Sequence, residues 1–185
     1  MTKLCIDTLD VAIGQITVRM LEKYPSWDTL SPAERRLLVM AYLADEVKVR
    51  EVGGNNRGKW VAVFLASVGL GEGYPWCAAA MAFASVVAKA PLPKRPTYNP
   101  AAVMGWQRWA DDNDTLVSSP RRGDIAMRRT SATTGHIGVV VRVVGPLVYS
   151  IEGNTSPGAS GSQADGGGLY RRVRSRSFWS WGFVR

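Results

Sequence analysis

Apolar positions recur at helical spacing through the first part of the chain. Leu4, Leu9, Ile13, Ile16, Met20 and Leu21 predict a moderately amphipathic helix over 4–22, closed by Tyr24-Pro25-Ser26. Ser31-Pro32-Ala33-Glu34 reads as a second helix start. Ser31 caps, Pro32 suits the first helical position and Glu34 completes a capping box. Leu37, Leu38, Ala41 and Tyr42 carry that helix to about residue 47. The Gly- and Asn-rich run 53–58 breaks the chain, and an asparagine there is expected to cap a helix over 58–69 that packs Val61, Phe64, Leu65 and Val68. Residues 78–90 are small and apolar almost throughout, the pattern of a helix buried all round. Four prolines between 91 and 100 mark an irregular connector, and Val103, Trp106 and Trp109 predict a short helix over 101–112.

The texture changes near residue 123. Short β-rich runs follow at 125–127, 137–144, 147–152, 169–173 and 183–184, separated by Gly, Pro and Asn turns. Helices first and strands later predict an α+β fold with helices packed on one side of an antiparallel sheet. The Gly-, Ser- and Asp-rich stretch 153–168 reads as a surface loop. No internal repeat is visible.

Composition narrows the chemistry. The 185 residues are 46% hydrophobic and 21% charged, ordinary globular usage that excludes wholesale disorder. Two cysteines make no disulfide framework, and a single histidine excludes the common zinc-hydrolase patterns. The net charge of +8 is uneven: 9 basic against 8 acidic side chains in residues 1–60, 14 against 7 in residues 61–185. A basic surface of this kind attracts polyanions. Nucleic acid, anionic lipid and anionic cell-wall polymers all fit. No run of apolar residues is long enough for a membrane span. Asp7 and Asp10 interrupt any apolar signal-peptide core, so the protein is expected to be made in the cytoplasm and to reach any outside target by release or injection.

Four residues carry candidate chemistry. Cys77 opens the buried helix after Pro75-Trp76, where free N–H groups and partial positive charge favour a thiolate. Cys5, by contrast, reads as a small core residue of the first helix. His136 starts an apolar strand, a position that also suits a partly buried structural histidine. If 137–144 and 147–152 form a hairpin about Gly145-Pro146, Glu152 returns to the end where His136 begins. Glu152 can then hold one imidazole nitrogen while the other faces Cys77, and Asn154 can share that role. Glu152 is the expected direct partner, with Asn154 supporting it or the substrate. Nucleophile, base and orienting group in one place is the logic of nucleophilic catalysis. An exposed hairpin end with ordinary polar residues is the plainer alternative.

Five runs in order carry a resemblance: 50–58, Pro75-Trp76-Cys77-Ala78-Ala79, Gly123-Asp124-Ile125, Gly135-His136-Ile137-Gly138-Val139-Val140, and Ile151-Glu152-Gly153-Asn154-Thr155. The sequence resembles the CHAP-domain cysteine peptidases and amidases of the papain-like and NlpC-type set, over residues 45–185. Residues 1–44 are expected to form an extra N-terminal helical segment. The resemblance implies a papain-like α+β core and a peptidoglycan hydrolase. Its nucleophile is matched by Cys77, its base by His136, and its further polar residues by Glu152 and Asn154. A compact hydrolase without a signal sequence or an obvious separate wall-binding domain suits a phage endolysin, the preferred setting, and also an injected antibacterial effector or a virion-associated lysin. It is expected to be a monomer whose partner is peptidoglycan, with anionic wall polymers as a further candidate and no nucleic acid. No cofactor is expected. Some relatives bind calcium in an acidic loop before the cysteine. Residues 69–76 hold only Glu72, so no metal site is expected there, and Asp111-Asp112-Asn113-Asp114 reads as a solvated helix end. Gly123-Asp124 reads as a turn, and Asn55 and Asn56 as caps. Trp76, Trp106, Trp109, Trp179 and Trp181 read as core or cleft wall. Arg171, Arg172, Arg174 and Arg176 read as the basic solvent face of a strand. A basic nucleic-acid-binding protein explains the charge and little else, and an inactive wall-binding module does not need all four polar residues.

Overall fold

The computed structural model describes residues 3–93, 97–157 and 166–185, with side chains from Thr8 onward. Five α-helices precede a six-stranded sheet among these residues. The first helix, α1 (Lys3–Lys23), buries Ala12, Ile16 and Met20, four residues apart, while Val11, Val18 and Leu21 face solvent. Leu21, expected on the core face, is thus on the outside, because the buried stripe runs through positions 12, 16 and 20. The side chain of Cys5 lies outside the described residues.

The capping box forms at the start of α2 (Pro32–Asp45): the Glu34 amide donates to Ser31 Oγ and the Ser31 amide to Glu34 Oε2. The next helix, α3 (Lys59–Ser67), is capped by Gly58 with no side-chain bond, so the asparagine caps expected there are replaced. Gly58 sits at φ +125, and a Cβ on it would meet the Val52 amide nitrogen at 3.1 Å. The central helix α4 (Cys77–Val87) buries every residue except Val86. It packs against α2 and α3 on one side and the sheet on the other. Trp60, Phe64, Trp76 and Phe83 form an aromatic cluster beside it, with ring centroids 5.3–6.2 Å apart. A shorter helix, α5 (Val103–Asp112), ends in the acidic run, where Asp112 accepts from the Tyr98 hydroxyl and Asp111 from Gln107.

The strands are β1 (Leu116–Val117), β2 (Ile125–Arg129), β3 (Gly135–Val144), β4 (Leu147–Thr155), β5 (Gly168–Ser175) and β6 (Gly182–Val184). All pairs are antiparallel, in the order β1-β6-β2-β3-β4-β5, so the fold is α+β as expected. β1 is too short to show an alternation in the sequence. One face of the sheet turns Ile125, Met127, Ile137, Val139, Ile151 and Leu169 into the main core with the helices. The opposite face carries a smaller cluster of Ala126, Val140, Val148 and Phe183, closed by Trp179 from the segment after β5.

The expected surface loop begins later than residue 153. Gly153, Asn154 and Thr155 continue β4 and are buried, past a register shift between Glu152 and Thr155. Asn154 at φ +51 marks that bulge. The central part of the loop lies outside the described residues.

Candidate active site

The β3–β4 hairpin sets the site. Gly138 pairs with Glu152 across the two strands, and His136 lies two residues along the same face of β3. Glu152 reaches diagonally to the ring, and its Oε2 lies 2.9 Å from His136 Nε2. Gly138 makes that reach possible: a Cβ there would lie 2.8 Å from Glu152 Cγ. Gly153 serves the neighbouring contact, because a Cβ on it would lie 2.9 Å from Trp76 and 3.2 Å from Ala80, where α4 crosses β4.

Glu152 is fully buried and both its oxygens are bound. Oε1 accepts from the Ser150 hydroxyl at 2.6 Å and from Arg174 Nε at 3.1 Å. Oε2 accepts from Arg174 Nη2 at 2.8 Å besides facing His136. Burial alone raises the carboxyl's pKa; the hydrogen bonds and charges of His136 and Arg174 outweigh it and hold the group down to about 2. Burial lowers the imidazole's pKa; the Cys77 and Glu152 side chains outweigh it and push His136 up to about 9. His136 Nδ1, on the side away from Glu152, has no hydrogen-bond partner among the described residues, and the Cys77 thiol is one of the two side chains that raise the ring's pKa. Trp179 stacks on the imidazole, 6.3 Å between centroids and 15° between planes.

Cys77 and His136 share the wall of a cleft of about 490 Å³, whose other walls come from Leu70, Tyr74, Ala102 and Thr134. Both are almost fully buried at its floor, with 7% and 1% of their surface exposed. Cys77 is the first residue of α4, and the first helical bond runs from the Ala80 amide to the Trp76 carbonyl. The amides of Cys77, Ala78 and Ala79 therefore have no carbonyl within the helix.

Asn154 does not touch the imidazole. With its amide turned so that Nδ2 donates, it reaches Gly166 O at 3.1 Å and Asn56 Oδ1 and Glu51 Oε1 at 3.3 Å. Glu51 Oε1 also accepts from Trp76 Nε1 at 2.8 Å. The segment 49–51 is laid along β5 by backbone bonds from Leu169 to Val49 and from Glu51 to Gly167. Asn154 thus ties the end of β4 to the residue before Cys77. Asn56 belongs to this buried network and caps no helix. Trp76 is a core residue, wholly buried.

The basic solvent face expected on β5 is only partly present. Arg171 is exposed and pairs bidentately with Asp45. Arg172 is buried and donates to Ser156 O. Arg174 is 9% exposed and bound to Glu152. The alternation marks 172 and 174 as sharing a face, but only the register with Ser150 and Val148 shows that this face holds Glu152. Glu51 lay in the 50–58 run without any sign of its partner. Asp124 is a turn residue, accepting from the Arg121 amide and from Arg185. Among the described residues no group of three or more His, Cys, Asp or Glu side chains forms a metal cluster, and no helix is long and apolar enough to cross a membrane.

A buried cysteine at a helix start and a histidine held by a carboxylate on an antiparallel sheet define the papain-like class of α+β fold. Residues 69–154, a little under half of the 185, match the family model of the CHAP domain, a similarity that supports a peptidoglycan-hydrolase family. No curated protein and no solved structure matches the chain.

Proposed function

We propose that this protein cleaves an amide bond in the stem peptide or cross-bridge of peptidoglycan through a cysteine thioester. The observation that carries the reading is the meeting of Cys77 and His136 at the floor of one cleft, with Glu152 on the far nitrogen of the ring. His136 Nδ1 takes the thiol proton, and Cys77 Sγ attacks the carbonyl carbon. The tetrahedral oxyanion is held by the Cys77 amide at the start of α4, one donor of the kind whose loss costs ~10²–10³ in rate. The carbon–nitrogen bond then breaks, and the leaving amine takes its proton from Nδ1. Water, deprotonated by the same nitrogen, attacks the thioester carbonyl and releases the acid and the thiol. Glu152 fixes the ring and stabilises the imidazolium between the two proton transfers.

The test is digestion of purified cell walls with mass spectrometry of the fragments. A new amine terminus within the peptide reports endopeptidase cleavage, and a peptide freed from the lactyl group reports amidase cleavage. Cys77→Ala is expected to abolish release while keeping the fold; undiminished release sinks the cysteine mechanism. The setting we infer is a phage endolysin. Expression inside bacteria is then expected to lyse them only when a membrane-permeabilising protein is present, and lysis without one refutes that setting.

A further inference from the structure

The CHAP match ends at residue 154, yet the innermost charge of the site is met by a residue twenty positions further on. Arg174 closes a two-point clamp on Glu152, with Nε on one carboxylate oxygen and Nη2 on the other. Its guanidinium is held from behind by the Phe178 ring, 4.5 Å away, and Phe178 stands edge-on to the Trp179 that covers His136. We infer that Arg174 is a positioning residue of the active site, keeping Glu152 ionised and aimed at His136, so that β5 and the turn after it are part of the catalytic unit. The inference rests on the Cys77–His136 reading of the site.

Charge balance gives the reason. A buried carboxylate, imidazolium and thiolate sum to one uncompensated negative charge, which a low-dielectric interior opposes. Arg174 brings the connected set to zero. The other groups facing Glu152 make no such clamp: Ser150 on β4 is neutral, Arg172 on β5 adds its charge to Glu152 at a distance but gives its hydrogen bond to Ser156 O, and Arg128 on β2 lies over Phe178. Without Arg174, burial drives Glu152 towards its protonated form, and His136 then loses the charge that holds its proton.

Alkylation of Cys77 by iodoacetamide reads this without any wall substrate, in a Cys5→Ser background where Cys77 is the only thiol. The thiolate displaces iodide to form a thioether, so the rate against pH reports the thiolate–imidazolium pair. Arg174→Gln and Arg174→Met are each expected to move the acid limb upward by about one to three pH units, the range an opposite charge commonly supplies. Arg174→Lys is expected to restore most of it. Once Glu152→Gln has removed the carboxylate, adding Arg174→Gln is expected to move the limb no further. A limb unmoved in Arg174→Gln, or moved equally in the Glu152→Gln background, overturns the inference. Lower alkylation at every pH with the limb in place marks a packing role alone and overturns it too. Wild-type protein that shows the limb but releases nothing from walls would instead refute the proposed reaction and leave Arg174's role standing.

Discussion

Gly138→Ala separates the two parts of the hairpin argument. Gly138 lies in an ordinary extended strand, so its backbone accepts alanine, and the reduced freedom of the unfolded chain favours the variant by about 0.4–1 kcal/mol. Space opposes it. The new methyl would sit 2.8 Å from Glu152 Cγ, 3.0 Å from the Ile151 carbonyl oxygen and 3.4 Å from Trp179. The Ile151 contact is backbone in the paired strand, so the sheet yields little and the Glu152 side chain must turn. Turning breaks the 2.9 Å contact to His136 and disturbs the Arg174 clamp. Overpacking costs about 1–3 kcal/mol and a lost hydrogen bond to a charged group about 1.5–3. The expected net loss of stability is about 2–5 kcal/mol.

Urea unfolding at neutral pH measures that loss, with Gly14→Ala as control. Gly14 is exposed in the middle of α1 with nothing within 4 Å of an added Cβ, so the control is expected to gain about 0.5–1 kcal/mol. Wall release by Gly138→Ala should fall with its stability and stay low under conditions where the variant is still fully folded, because the imidazole has lost its carboxylate. A Gly138→Ala protein within about 0.5 kcal/mol of wild type that digests walls at the normal rate refutes the reasoning, since Glu152 would then have neither a tight path to His136 nor a need for it.

Glu152→Ala should cost more activity than Asn154→Ala in the same wall assay, because Glu152 binds the ring and Asn154 binds Glu51 and Asn56; the reverse order would reassign the orienting residue. Stability should peak between the ordinary carboxyl and imidazole pKa values, 4.5 and 6.5. The contribution of Glu152 is lost as pH falls from 4.5 through about 2, and that of His136 as pH rises from 6.5 through about 9; unfolding curves of Glu152→Gln across this range should be flatter on both sides. Pull-down on purified walls should weaken between roughly 0.01 and 1 M salt, over which the screening length drops from about 30 to 3 Å, and salt-independent binding would make recognition non-electrostatic. EDTA should leave wall release unchanged; loss restored by calcium or zinc would expose a metal site built from other groupings.

Much of this arrangement was readable from local pattern. The Ser31–Glu34 capping box, the all-apolar helix behind Cys77 and the hairpin that returns Glu152 to His136 each follow from spacing within a few residues. What the sequence hid was register and long-range pairing. Whether Arg174 faces solvent or Glu152 depends on which residue of β4 it opposes, and a slip of one position would exchange the faces. The Glu51–Trp76–Asn154 network joins three distant segments, and no local signal links a carboxylate at 51 to an amide at 154. Asn56 looked like a helix cap because it precedes a helix; the backbone instead turns through Gly58, which frees the asparagine for the interior.

The glycines of the two strand motifs have one physical origin. Glu152 and Asn154 share β4 with Gly153 between them, and they look in different directions: Glu152 across to β3 and β5, Asn154 to the 51–56 segment. A regular strand would send residues 152 and 154 to the same face. The register shift after Glu152 and the left-handed φ of Asn154 separate them, and Gly153 lets α4 close onto the strand at that point. The spacing Glu-Gly-Asn therefore lets one strand end serve two networks: one reaches His136, and the other reaches Trp76 beside Cys77. The same short stretch contacts the imidazole through Glu152 and, through Glu51, the Trp76 that precedes Cys77. That is why the substitutions expected to be most damaging to chemistry include glycines that carry no functional group.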